Sequence, residues 1–332
     1  MITETRKDFR PWDGIGVTVK ESMTTAAMLK AAKLDWTISK QPLHHVDDQG
    51  DPHQFRGIFG LLRDDDLSEI GVCGPDYQPI QNAKAFEFFE KFIERGDMRM
   101  EAVGSFRGAK GLHIWALASL KHEFVLPGDD VVKGHILLSH PHIWGQTLQI
   151  KPTAMRIYCY NSLMAALRAG EDCFKHWHNR EFGDAAVDKA QTIVAATIRY
   201  MGQVREKAEF LASRPARIPQ IAQYVAELFQ PALLKIDGEI RAIARDEVVT
   251  TIDPIFFGKT SYKVWESVFK SPGAHSKAAE GTWWGVANGV THAVDHTLGR
   301  SREIALCDAW LGSRATKKNE AFDLAVEYAK NS

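Results

Sequence analysis

The sequence predicts an α+β fold, an antiparallel β-meander packed on helices, with a mostly helical C-terminal part. Three observations predict it. Residues 97–152 alternate apolar and polar side chains in short runs joined by Gly, Pro and Asp turns. From Asp184 onward the apolar residues recur at helical spacing instead. The composition, 45% apolar and 25% charged over 332 residues, is that of an ordinary globular chain able to bury a core. The expected organisation is an N-terminal cap (1–60), a sheet domain (61–183) and a helical C-terminal region (184–332).

The elements follow in order. Thr24–Lys33 reads as an Ala-rich helix and Trp36–Lys40 as a strand. Asp47–Gly50 is a turn between extended segments. Phe55–Arg63 and Glu69–Cys73 read as strands around the acidic turn Asp64–Asp66, which reads as a solvated turn in preference to a metal site. Asn82–Arg95 is a helix with Asn82 as N-cap and Gly96 as its C-terminal glycine; its Phe86, Phe89 and Phe92 stripe is core. The meander strands are Met100–Phe106, Leu112–Leu120, Lys133–Ser139 and Thr147–Lys151. Their alternation gives one apolar face and one face that collects His113, Trp115, Lys133, His135, Gln149 and Lys151. A helix follows over Ser162–Ala169, closed by Gly170. Val187, Ala190, Val194, Thr197, Met201, Val204, Ala208 and Leu211 then mark a long helix with heptad spacing. That stripe packs either within the chain or between subunits. The remaining predicted helices are Ile218–Phe229, Leu233–Asp246, Ser261–Lys270, Thr282–Leu298, Arg302–Leu311 and Thr316–Lys330.

Charge and cysteines bound the function. Lys+Arg is 41 and Asp+Glu is 42, so the chain is no strongly basic nucleic-acid binder overall. The charge is uneven, however: residues 61–96 hold four basic and eight acidic side chains, whereas 97–170 hold eight basic and five acidic ones plus five histidines. An anionic ligand is therefore sought first on 97–170. The four cysteines form no CxxC, and neither a signal peptide nor an apolar run of membrane length is visible, so a cytoplasmic protein with reduced thiols and no membrane partner is expected.

The chemistry-bearing motifs are few. No GxxxxGK[ST], GxGxxG or GxSxG is present, so no cofactor is assigned and an enzyme is the least favoured class. His292 and His296 lie four apart without the Glu of a zinc-protease motif; Asp295 and His296 are expected to hydrogen-bond a neighbouring element. His140, His142, His176 and His178 pose the question of a metal, though no acidic or Cys ligand is placed by spacing, and no metal is assigned. Arg107 and Lys110 flank a Gly-rich turn, and Arg156, Tyr158 and Tyr160 alternate near Lys151. Cations that track phosphates beside rings that stack bases suit a single strand. The candidate nucleic-acid residues are thus Arg107, Lys110, Lys133, Lys151, Arg156, Tyr158 and Tyr160, with no catalytic residue. The competing reading buries Arg156 against the acidic 61–96 region.

The chain resembles a family of phage/plasmid-like proteins of unknown function. The resemblance rests on Pro11–Gly16, Leu34–Ile38, Asp76–Asn82, Glu101–Arg107, Arg156–Leu163 and Thr282–Asn288 through Asp295-His296. His140-Pro-His142 and His176–Asn179 depart from the family pattern. The resemblance implies a mobile-element origin and supplies no catalytic residues. The order helix, meander, helix is also similar to that of Rad52-type single-strand annealing proteins, an analogy of elements alone. The expectation is a non-enzymatic, homo-oligomeric protein that binds single-stranded DNA. The alternative is an oligomeric structural or protein-interaction protein of a mobile element, such as a host-takeover or inhibitor protein.

Overall fold

The computed structural model describes residues 10–19, 23–108, 111–157, 159, 161–163, 173–229, 234–236, 239–241 and 258–332. Strand β1 (Gly16–Thr18) and helix α1 (Thr25–Ala31) come first, and Thr24 caps α1 by accepting from Ala27 N–H. Strands β2 (Ile38–Val46), β3 (Pro52–Arg63) and β4 (Glu69–Cys73) form a separate three-stranded sheet. Helix α2 (Asn82–Glu94) follows. Its N-cap is Gln81 rather than Asn82, whose amide donates to Leu34 O and Trp36 O and ties the helix to the preceding loop. Gly96, at φ +67°, ends the turn where a Cβ would be strained.

The meander comprises β5 (Met98–Gly108), β6 (Gly111–Leu126), β7 (Asp130–Pro141) and β8 (Thr147–Arg156), each longer than its sequence pattern implied. Strand β1 pairs with β5 at one edge. At the other, β8 is paired along 154–156 by β9 (Asn161–Leu163) and along 147–150 by β10 (Phe174–Trp177). All these pairs are antiparallel. Register shifts between Met100 and Ala102 and between Ser119 and Glu123 help curl the sheet. Gly16 faces Gly104 across the β1–β5 pair because Trp115 lies over both: a Cβ at either would sit 2.5 or 2.6 Å from its ring.

The helical part is α3 (Asp184–Ala212), α4 (Ile218–Leu228), α5 (Lys259–Lys270), α6 (Trp283–His292), α7 (Arg302–Leu311) and α8 (Ser313–Lys330). A π-helical turn, Ala293–Thr297, continues α6 where one straight helix to Leu298 was expected. Two expectations are corrected. Residues 234–236 and 239–241, expected to be helical, pair as strands β11 (Leu234–Ile236) and β12 (Glu239–Arg241). Ser162 and Leu163, expected to start a helix, belong to β9; residues 164–172 and 242–257 lie outside the described residues.

Two cores sandwich the sheet. Leu112, Ile114, Ala116, Ile136, Leu138, Leu148 and Ile150 pack with Phe86, Phe88 and Phe89 of α2 and with Val187, Ala190 and Ile193 of α3. On the opposite side Trp115, Leu117, Leu137 and Met155 pack with the second half of α3 and with α4–α8. All but Val194 of the eight heptad residues are buried inside the chain, so α3 spends that stripe on its own two cores.

Candidate nucleic-acid interface

The register fixes which residues share the sheet's second face. Across β6, β7 and β8, Trp115 partners Ser139 and Ser139 partners Gln149; Leu117 partners Leu137 and Leu137 partners Lys151; Ser119 partners His135 and His135 partners Thr153. The polar alternation is therefore real. The face is not free, however, because α3–α8 cover most of it. Ser119, His135, Ser139 and Thr153 are buried, and Trp115 meets Trp310 of α7 edge-on at 5.2 Å.

This cover changes what the predicted residues can do. Arg156 is 1% exposed. Its Nε and Nη2 donate to Asp130 at 2.7 and 2.6 Å, and Nη2 also donates to Gly273 O and Ser276 Oγ. Trp284 Nε1 donates to the same carboxylate at 3.1 Å. Arg156 is thus a buried structural cation, paired with Asp130 and not with the acidic 61–96 region, and it cannot contact a strand. Lys133 is half-buried on β7, opposite Met155 and Glu123. Lys151 donates from Nζ to Trp310 O at 3.1 Å, and burial lowers its pKa to about 8. Arg107 is the last residue but one of β5, at the hairpin, with its side chain outside the described residues. Lys110, Tyr158 and Tyr160 also lie outside them.

A second buried ion pair joins α8 to the π-turn. Lys318 of α8 donates to Asp295 Oδ1 at 2.7 Å and to Ser162 Oγ at 2.6 Å. Asp295, in the π-turn, accepts from the backbone N–H and the hydroxyl of Ser162 on β9. The expected hydrogen bonding of Asp295 to a neighbouring element is met by these two partners. Burial lowers the Lys318 pKa, against the pull of Asp295.

Three of the four loop histidines converge. The His140 ring lies 4.3 Å from that of His142 and 5.8 Å from that of His178, and all three are buried. His140 Nε2 donates to Ile80 O and His142 Nε2 to Asn82 Oδ1. His176 points elsewhere, onto Phe174 and Phe182. Among the described residues no group of three or more His, Cys, Asp or Glu is arranged to hold a metal ion. Asp64–Asp66 is a turn: Asp64 accepts from Thr37, Asp65 from Arg63 and Asp66 from Ser68 N–H.

The helices leave one strip of the polar face open, at the β8–β10 edge. In β10, Phe174 and His176 turn toward the apolar core, so Lys175 and Trp177 project on the opposite face, opposite Gln149 and Thr147. Trp177 is 55% exposed, and Lys175 is exposed beside it. Lys175 is close enough to Lys151 to help lower its pKa. A second indole, Trp144, is 57% exposed on the loop that enters β8, where a Cβ on Gly74 would lie 2.9 Å from it. The strip of Trp177, Lys175, Gln149 and Lys151 retains one residue of the expected set and adds two the sequence reading missed. The signal was the alternation Phe-Lys-His-Trp, too short to read as a strand without its partner.

A family model described as a domain of unknown function (DUF932) matches residues 69–324. No curated protein and no solved structure matches the chain. No helix among the described residues is long and apolar enough to cross a membrane.

Proposed function

The chain belongs to the DUF932 family of unknown function, and we propose that it binds single-stranded nucleic acid without catalysing a reaction, at the β8–β10 edge of the sheet. One observation carries this reading: an indole more than half exposed stands on the same strand face as the exposed Lys175, whose charge reaches the half-buried Lys151. A free indole face stacks a base whatever its identity, and ammonium groups alongside hold the phosphates. The likeness to phage and plasmid proteins supports the same class of ligand; the Rad52-type element order does not, because its closing helix begins here as strand β9. The proposed partner is single-stranded DNA, bound by a homo-oligomer.

The test is fluorescence anisotropy of a labelled oligo-dT strand, with quenching of Trp emission followed in parallel. Binding is expected at low salt and is expected to weaken steeply as salt rises. Trp177→Ala is expected to weaken it by about 5- to 150-fold, the range for one lost stacked base. The affinity is also expected to fall as the pH rises through about 8, because Lys151 then loses its proton; Lys151→Met should abolish that part of the pH dependence. An absence of binding at low salt overturns the proposal.

One observation favours the protein-interaction alternative. The outer part of the β2–β3 ribbon stands in solvent and exposes Val46, Phe55 and Ile58. Exposed apolar side chains on a ribbon are a feature of partner surfaces. This reading expects a stable oligomer whose mass ignores the oligonucleotide and drops when Phe55 and Ile58 are both made Ser.

A further inference from the structure

A cleft of about 360 Å³ lies on the helical part of the molecule and shares no lining residue with the β8–β10 strip. Its walls are the first turns of α5 and α8. Lys259, Thr260 and Lys263 come from α5; Ser313, Arg314 and Lys317 come from α8; Val294, Leu298 and Phe229 are its apolar lining. Among the described residues, four cations line it and no carboxylate does. Arg314 and Lys317 each have an acidic neighbour outside the lining, Asp308 at 3.2 Å and Glu320 at 2.5 Å. Lys259 and Lys263 form no ion pair among the described residues. The cleft therefore keeps an excess of positive charge in a confined space.

The surroundings hold these cations in place. Arg314 Nη1 donates to Leu298 O at 2.7 Å. Gly299, at φ +142°, lets the chain pass beneath that side chain: a Cβ there would sit 2.6 Å from the Ala305 Cβ and 3.3 Å from Arg314 Nη1. The π-turn that supplies Val294 is anchored from behind, because the next residue, Asp295, is ion-paired to Lys318 inside the protein. Lys318 in turn follows Lys317, so one buried pair fixes both a wall and a cation of the cleft. The amide groups at the start of α5, whose N-cap Gly258 offers no capping side chain, add partial positive charge, whereas at the start of α8 the Asp308 carboxylate accepts from the Arg314 N–H at 3.5 Å.

We propose that this cleft binds a compact phosphate-bearing anion of nucleotide size, through Lys259, Lys263, Arg314 and Lys317. Its volume is at the small end of ligand sites, enough for a nucleotide and too small for a larger cofactor. The site is separate from the strand-binding strip and does not depend on it. The same phosphate chemistry can come from a free nucleotide or from the end of a strand, and the test separates these sources.

The full chain is titrated calorimetrically with sodium pyrophosphate, with ADP and with an oligo-dT strand carrying a 5′-phosphate. The same titrations are run on Lys259→Glu/Lys263→Glu, on Arg314→Gln and on Trp177→Ala. Lys259 is exposed and Lys263 half-buried, and a wild-type melting profile is required of each variant. Pyrophosphate is expected to bind wild type and to bind the double variant at least about tenfold more weakly, as the loss of two phosphate contacts implies. ADP bound at least as tightly as the strand assigns the site to free nucleotides. A strand whose binding falls in the cleft variants and not in Trp177→Ala assigns it to a strand terminus. The proposal is overturned if none of the three probes binds below about 5 mM, or if the cleft variants bind pyrophosphate as wild type does. Loss of oligo-dT binding in Trp177→Ala alone bears on the strip and leaves the cleft result intact.

Discussion

The two faces of the central sheet are both buried, yet they are built from different materials. The face under α2 is mostly aliphatic and aromatic, with Ile114, Ile136, Leu138 and Ile150 meeting Phe86, Phe88 and Phe89, and it buries no ion pair among the described residues; its polar groups are His140 and His142, hydrogen-bonded to Ile80 O and Asn82 Oδ1. The face under α3–α8 buries two ion pairs, Arg156–Asp130 and Lys318–Asp295, together with His135, Ser139 and Thr153. An aliphatic face accepts any close-packed partner of the right volume. A polar face accepts only the partner that completes its hydrogen bonds, since an unpaired buried charge costs several kcal/mol. The difference teaches that the sheet's second face specifies where α6, the π-turn and α8 sit, and through them the shape of the basic cleft. The first face mainly supplies stability.

This contrast can be broken most severely at Lys318. Lys318→Met strands Asp295 as a buried charge, held among the described residues by Ser162, and is expected to cost about 3–5 kcal/mol in urea denaturation. Lys318→Met combined with Asp295→Leu should cost clearly less than the single change. A double variant as unstable as the single one would show that the pair contributes packing and not charge compensation.

Acid is expected to act on the polar interior next. Burial lowers the pKa of His113, His135 and His178 to about 4 and of His292 to about 3, and holds those of His140 and His142 well below the usual value. Between about pH 6.5 and 4 the unfolded chain takes up protons at these positions while the folded chain does not. Stability is therefore complete above about pH 6.5 and falls as the pH drops, by up to about 1.4 kcal/mol per pH unit for each such histidine. Melting curves from pH 7.5 to 5 check this; a flat profile would mean that the histidines are already charged or are reached by water. On the aliphatic face, Ile136→Val should cost only about 0.5–1.5 kcal/mol, with no change in the pH profile.

Much of this was legible in the sequence, and particular residues show why. The alternation of Leu112–Leu120 gave both faces of β6 correctly, because a strand's period depends only on its own backbone. The heptad stripe of α3 and the exact bounds of Arg302–Leu311 were visible for the same local reason. Residues 234–236 and 239–241 pair as strands where a helix was expected, because short apolar runs suit either period and the pairing partner decides. Asn82 was placed as an N-cap, yet its amide is drawn off by Leu34 O and Trp36 O, two carbonyls more than forty residues away.

By itself, then, the sequence determined the α+β class, the meander, the long helix and the polarity of each strand face, all of which follow from near-neighbour spacing. Only the tertiary structure decided that the polar face is covered, that Arg156 pairs with Asp130, and that Trp177 remains in solvent while Trp115 does not. Only it decided that Lys259 and Arg314, fifty-five positions apart, line one cleft. The physical reason is that spacing assigns a side chain to a face, whereas exposure and charge pairing depend on which distant element comes to lie on that face.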